Sequence, residues 1–205
     1  VLDFGWRAEG GASPLPLVSV LPSFAAAAME AEAAIDADGL GAVEAYAAGD
    51  FVVDLLAGLE DEVARERLVA QVAELTGLDP ALVERRAGRL DMRTFAREHR
   101  RADERLVSVY DTGISADDPA PETPFAHRLD PVLDAMTPPL TTAMLAHFQN
   151  TLDWRPERRY MLLNRDVSRA WRWGTGRSQP EAVSALRRML ALDPALHVLV
   201  AHGYT

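Results

Sequence analysis

The sequence predicts a mostly α-helical fold with a few strands. Residues 25–34 are almost all strong helix formers, and apolar residues recur at helical spacing over residues 42–59. The strand pattern is limited to short stretches: residues 1–4, which are typical of the end of a strand, residues 106–110, residues 160–163 and the apolar run that begins near Leu196. Helices should therefore account for most of the chain.

Capping residues locate further helices. The acidic residues 60–62 favour a helix start, because negative side chains suit the positive end of the helix dipole, and Gly77 marks the end of that helix. Asp79 followed by Pro80 starts a short helix, and Asp91 caps the next one. Further helix starts are predicted at Thr137 and Ser178.

Residues 111–131 are predicted to form a long connection. The stretch contains Gly113 and four prolines, which interrupt helices and strands alike. A connection of this length is usually either a packed functional loop or a mobile one. We expect it to join the first strand to the next helix.

Composition narrows the class of partner. The 205 residues carry a formal net charge of -10, and all 21 basic residues are arginine. Nucleic acid and anionic membranes need a basic surface, so neither is an expected partner. The absence of lysine excludes Schiff-base and P-loop chemistry on this chain. The absence of cysteine fits a cytoplasmic location, and no apolar run is long enough to span a membrane.

The chain contains no complete catalytic or metal-binding motif. None of its serines lies in G-x-S-x-G, the turn that presents the nucleophile of α/β-hydrolases. His197 and His202 are five residues apart on an extended stretch, so they point to opposite faces and cannot share a metal. Residues 36–39 match only the start of a calcium loop, and residues 174–178 lack the Gly-Lys pair of a phosphate loop. We therefore expect no catalytic residue, metal or cofactor.

The carboxyl-terminal stretch resembles one enzyme family. The run VLVAHGYT at residues 198–205 follows a predicted helix. It is similar to the segment before the catalytic aspartate in bacterial members of the serine carboxypeptidase family, which are α/β-hydrolases. Weaker matches follow the family's order at residues 15–25, 43–47, 51–55, 75–78, 82–83 and 152–154, the last ahead of Tyr160. Together these matches are spread over most of the chain.

The resemblance implies a helical lid plus part of an α/β-hydrolase core. Residues 1–22 would follow the nucleophile-bearing region, residues 23–173 would form the lid, and residues 174–205 would return to the core sheet as a helix and a strand. The serine nucleophile would precede Val1, while the catalytic Asp and His would follow Thr205. No member of the triad is then expected on this chain, and both ends are expected to be cut from a larger enzyme.

Three residues are candidates for contacts with substrate: Asn164, Trp171 and Tyr204. Trp171 and Trp173 are two residues apart on an extended stretch or turn, and we expect one of them to lie in the core and the other to face a cleft. Lid segments exclude water from an active site and shape the fit of the substrate. We expect the three candidates to line the pocket of the intact enzyme.

The resulting hypothesis is a fragment of a serine-type carboxypeptidase, an enzyme that removes carboxyl-terminal residues from peptides through an acyl-enzyme. The fragment is expected to be inactive alone. It is also expected to form a homo-oligomer, because strands taken from a sheet expose their edges. Two alternatives stay open: a free-standing helical interaction module, and the lid of another α/β-hydrolase such as an esterase or an aminopeptidase.

Overall fold

The computed structural model describes residues 14–32, 34, 36–58, 60–123, 129–171 and 182–199. Of these residues 62% are helical and 4% lie in strands, which confirms a mostly α fold with few strands. The helices are α1 (Leu15–Ala31), α2 (Ala37–Ala48), α3 (Asp50–Ala57), α4 (Glu62–Thr76), α5 (Pro80–Arg85), α6 (Met92–Glu98), α7 (Pro131–Asn150), α8 (Arg165–Ala170) and α9 (Val183–Leu192). The strands are β1 (Arg105–Val107) and β2 (Ser115–Asp117), which follow a short 3-10 turn at Arg101–Asp103.

Helices α1 to α6 enclose one apolar core. α1 packs against α2 and α4, and α4 also packs against α3 and α5. Phe51, Val72 and Val83, one from each of α3, α4 and α5, are at most 1% exposed. Phe24 of α1 stacks on Phe95 of α6 with 4.3 Å between the ring centroids. We call residues 14–123, which contain this core and the two strands, the helical unit.

Predicted capping residues set the limits of three of these helices. Asp79 accepts a hydrogen bond from the Ala81 amide at 2.9 Å, and Asp91 accepts one from the Thr94 amide at 2.8 Å. Gly77 ends α4 with a φ of +67°, a left-handed conformation that glycine adopts without strain. The predictions for α4, α5 and α6 are therefore confirmed to within a few residues.

Two helices near the amino terminus differ from the prediction. α1 begins at Leu15, well before the predicted residues 25–34. The helix predicted over residues 42–59 is divided at Gly49, where the backbone leaves the helical region with φ −113° and ψ −105°. The apolar pattern continues across that break, so spacing alone could not reveal it. The predicted boundary between residues 22 and 23 falls within α1.

A short antiparallel hairpin follows α6. Arg105 pairs with Asp117 across the hairpin, and its guanidinium also donates to Ser115 Oγ at 2.9 Å and to Asp117 Oδ1 at 2.7 Å. The strand predicted at residues 106–110 is therefore confirmed only in its first half. The connection predicted over residues 111–131 is interrupted by β2. The residues of β2 have weak strand propensity, so the pairing with β1 is what makes this strand form.

α7 begins earlier than predicted. Asp130 caps it and the helix starts at Pro131, rather than at Thr137. Pro138 and Pro139 consequently lie inside the helix, where they supply no amide to the carbonyls one turn before them. Both Asp-Pro and Thr-Pro are helix-start patterns, and the earlier one is the start that the structure uses.

Two predicted strands are absent from the residues that the structure describes. Residues 160–163 and 196–199 have no regular structure, and Leu199 is 92% exposed. A strand needs a neighbour for its backbone hydrogen bonds, and the sheet within the described ranges contains β1 and β2 alone. The remainder of the last predicted strand lies outside the described residues, as do the strand end predicted at residues 1–4 and the helix start predicted at Ser178.

We call residues 129–199 the arm, and none of its described residues belongs to the apolar core. The residues of that core all lie between Leu21 and Phe95. Among the described residues of the arm, Asp130 is the one that is buried. No described helix or strand packs closely along α7, α8 or α9. The helical unit thus has its own core, whereas the described residues of the arm form none.

Candidate functional site

The arm exposes many large apolar side chains. Such residues occur along most of its described length, from Met136 in α7 to Leu199 after α9. Trp154 is 52% exposed and Trp171 is 61% exposed. Single exposed apolar residues are normal on a soluble protein, but grouped ones mark an interaction surface or a region that another polypeptide covers. The arm is therefore a candidate docking surface.

α7 shows this pattern most simply. Between Asp134 and Asp153 the sequence contains no Asp, Glu, Lys or Arg. Met136, Leu140 and Ala143 are exposed and follow one another at helical spacing, so they form one apolar stripe. A helix that faces water normally carries charged residues on its outer side. The stripe indicates a helix face that is suited to an apolar partner.

An adjacent side of α7 is partly covered by the segment that follows it. The Phe148 ring meets the rings of Trp154 and Tyr160 edge-on, with centroids 4.9 and 5.4 Å away. Edge-to-face packing is a favoured arrangement of aromatic rings. The Trp154 amide also donates to the Phe148 carbonyl at 2.9 Å. These contacts hold the start of the following segment against α7.

α9 is a second uncovered amphipathic helix. Val183, Leu186 and Leu190 fall on one face, and Val183 and Leu190 are 43% and 39% exposed. Arg188 falls on the opposite face. Helices with this distribution normally bury the apolar face against another element. α9 buries no residue within the part of the chain that the structure describes.

Charge separates the two parts of the chain. The helical unit contains 22 Asp and Glu residues against 10 Arg, a formal net charge of −12. The arm contains 7 acidic residues against 9 Arg, a formal net charge of +2. The acidic character of the protein therefore belongs to the helical unit. A partner that binds the arm alone would therefore meet a nearly neutral segment of the chain and not the strongly acidic helical unit.

The structure places two of the three predicted substrate-contact residues at opposite ends of α8. Asn164 caps the helix, since its Oδ1 accepts a hydrogen bond from the Asp166 amide at 3.0 Å. Trp171 follows the last turn. Seven residues of helix correspond to a rise of about 10 Å between the two positions. Tyr204 lies outside the described residues.

Comparisons of the chain with family models, curated proteins and solved structures give no match.

One polar contact that the sequence did not predict joins the arm to the helical unit. Ser108, directly after β1, is fully buried, and its hydroxyl donates to Asp130 Oδ1 at 2.9 Å. Ser108 and Val109 also line a shallow groove with Phe24 and Phe95. The Asp-Pro pair that begins at residue 130 could have identified the cap of α7. Nothing in the local sequence pairs that cap with Ser108.

Tyr46 and Asp54, two polar residues of the helical unit, have surroundings that indicate a structural role. Burial, with a further contribution from Asp54, raises the pKa of Tyr46 to about 12, so its phenol stays protonated near neutral pH. Asp54 is itself paired with Arg67. Within the described ranges no group of His, Asp and Glu is arranged to hold a metal ion. No described helix has the length and apolarity that crossing a bilayer requires.

Proposed function

We propose that this chain is the helical lid and part of the core of a serine-type carboxypeptidase, and that the arm docks on the domain carrying the catalytic triad. The proposal is supported by the segments that resemble the family in order and spacing. The observation that carries it is the contrast between a helical unit with its own core and an arm with uncovered apolar faces. A lid requires both, because it must hold its own shape and also attach to a larger domain.

In this proposal the chain contributes no catalytic group. Attack on a peptide needs a nucleophile, a base held in hydrogen-bond reach and donors for the oxyanion, and these would come from the triad-bearing domain. The lid excludes water and limits the substrates that enter. Asn164, Trp171 and Tyr204 are retained as proposed contacts with a peptide substrate, and we propose a cytoplasmic location.

The coding frame around this sequence and an activity assay test the proposal. We expect G-x-S-x-G upstream and an Asp codon directly after Thr205. The 205-residue chain should neither hydrolyse blocked dipeptides nor react with a fluorophosphonate, whereas the product of the longer frame should do both. Stop codons on both sides, or specific labelling of a serine in the 205-residue chain, would contradict it.

A second candidate is a free-standing helical interaction module. The core of the helical unit favours it, because the described residues of that core pack on one another within residues 14–123. The apolar stripe on α7 would then bind another protein. A frame closed by stop codons, together with a monodisperse monomer in light scattering, would support this candidate and contradict the proposed homo-oligomer.

A further inference from the structure

The carboxylate of Asp130 accepts hydrogen bonds from two separate segments of the chain. Its Oδ1 accepts hydrogen bonds from the amides of Val132 and Leu133, at 3.1 and 3.0 Å, and so caps α7. Its Oδ2 accepts from the Val109 amide at 3.0 Å, and both oxygens accept from the Ser108 hydroxyl. We call these contacts the Asp130 link. The link fastens the first turn of α7 to the end of β1.

The other aspartate caps make no such connection. Asp61 accepts from the Ala64 amide, and Asp79 accepts from the Ala81 amide. In both cases the donor belongs to the helix that the aspartate caps. Asp130 is only 9% exposed. A buried carboxylate needs this many donors, because leaving it without hydrogen bonds in a low-dielectric site is costly.

The Asp130 link also includes residues that line the groove. Ser108 and Val109 form part of the groove wall. The Ser108 hydroxyl also accepts from the Tyr110 amide at 3.0 Å, so the turn after β1 is held by the same side chain. No described helix or strand packs closely along α7, and these hydrogen bonds attach the start of the helix to the helical unit. A change in the direction of α7 would therefore be expected to displace Ser108 and Val109, which form part of the groove wall.

We propose that Asp130 is a positioning residue that sets the direction in which α7 leaves the helical unit. This inference goes beyond the proposed function, because it holds for the 205-residue chain whatever partner the arm has. It also separates two roles of one side chain. The cap supports the first turn of α7, while the bond to Ser108 fixes the orientation of that turn.

Two variants separate these roles. Ser108→Ala removes the hydroxyl and leaves the Asp130 cap intact. Asp130→Asn keeps a residue type that caps helices well but removes the charge that accepts from Ser108 and Val109. Asp61→Asn is the matched control, because Asp61 caps α4 without joining it to another element.

Orientation is measured with spin labels on two exposed alanines, Ala42 of α2 and Ala143 of α7. The chain contains no cysteine, so Ala42→Cys and Ala143→Cys label it at these two positions alone. We expect a narrow distance distribution in the parent and in Asp61→Asn. Ser108→Ala and Asp130→Asn should broaden or shift it. An unchanged distribution in both variants would overturn the proposal.

Amide exchange shows whether α7 itself has unfolded. In Ser108→Ala the Leu133 amide should stay protected, while the Tyr110 amide, which loses its acceptor, should exchange about tenfold faster. A shifted distance with a protected Leu133 amide supports a role in orientation. Loss of protection at Leu133 in Ser108→Ala would mean that the cap and the connection are one structural feature, and would contradict the separation proposed here.

Discussion

Asp54 of α3 and Arg67 of α4 form a two-point ion pair that joins consecutive helices. Arg67 Nε donates to Asp54 Oδ2 at 3.0 Å, and the second guanidinium nitrogen donates to Oδ1. The Asp54 side chain is 1% exposed, whereas that of Arg67 is 55% exposed. The same contact raises the pKa of Arg67 further above its ordinary value, chiefly through the hydrogen bond to Asp54. The carboxylate is thus buried while its partner reaches solvent.

Removing this arginine should be costly. Arg67→Gln leaves the buried Asp54 carboxylate without its cation, and we expect the midpoint of urea denaturation to fall by clearly more than it does when an exposed ion pair is broken. Arg65→Gln is the control on the same helix, since Arg65 meets an exposed Glu84 at 3.5 Å and should lose at most about 0.5 kcal/mol. Equal losses of stability in the two variants would show that the burial of Asp54 does not determine the cost of removing Arg67.

Two left-handed glycines should respond differently to alanine. Gly88 has a φ of +70°, and a Cβ there would lie 2.8 and 2.9 Å from two carbons of the buried Leu68 side chain. Gly77 has a φ of +67°, with open space around it. We expect Gly77→Ala to cost about 1 kcal/mol from backbone strain, and Gly88→Ala roughly 2 to 3 kcal/mol because of the added overlap. Similar unfolding midpoints would contradict the contact with Leu68.

The core of the helical unit should dominate stability. Phe95 is 2% exposed and stacks on Phe24, so Phe95→Ala should lower the free energy of unfolding by about 3 to 5 kcal/mol. Trp154→Ala removes an aromatic side chain of the arm that is half exposed, and it should cost about 1 kcal/mol or less. Urea denaturation followed by far-UV circular dichroism measures both. A larger loss for Trp154→Ala would mean that the arm, too, belongs to the cooperative core.

Stability should fall as pH falls through the range in which free histidine titrates. Burial, with a smaller contribution from Arg100, lowers the pKa of His99 below its ordinary value of 6.5. The unfolded chain then binds a proton more readily than the folded one, so protonation favours unfolding. The loss begins near pH 6.5 and continues down to the lower pKa of the folded state.

The measurement compares urea midpoints above and below this range in the parent and in His99→Gln. We expect the parent to lose more stability than His99→Gln, in which the titrating ring is gone. His147→Gln, a change at an exposed position on α7, is the control and should follow the parent. If His99→Gln and the parent show the same dependence on pH, another group is responsible.

Local patterns predicted much of the helical unit. Asp79, Asp91 and Gly77 each act through bonds or dihedral angles within their own helix, so the sequence specifies the limits that they set. β2 could not be predicted in the same way, because its short polar sequence becomes a strand only by pairing with β1. The break at Gly49 could not be predicted either, since Ala47 before it and Phe51 after it belong to the same core.

The candidate site was predictable only in part. Asn164 is predicted to contact substrate, and in the structure its side chain caps a helix. This local role could have been predicted, because Asn is a favoured capping residue and Arg165 and Asp166 follow it. The contact between Ser108 and Asp130 joins residues that are 22 positions apart. Such a pair depends on how the helical unit and the arm come together, and no spacing rule describes it.

The uneven distribution of charge has a consequence for handling the protein. Repulsion among like charges within the helical unit is strongest at low ionic strength, where the screening length reaches about 30 Å. Added salt shortens that length and relieves the repulsion there, while the nearly neutral arm gains little. The helical unit should therefore be less stable in buffers of low ionic strength, and moderate salt should stabilise it more than it stabilises the arm.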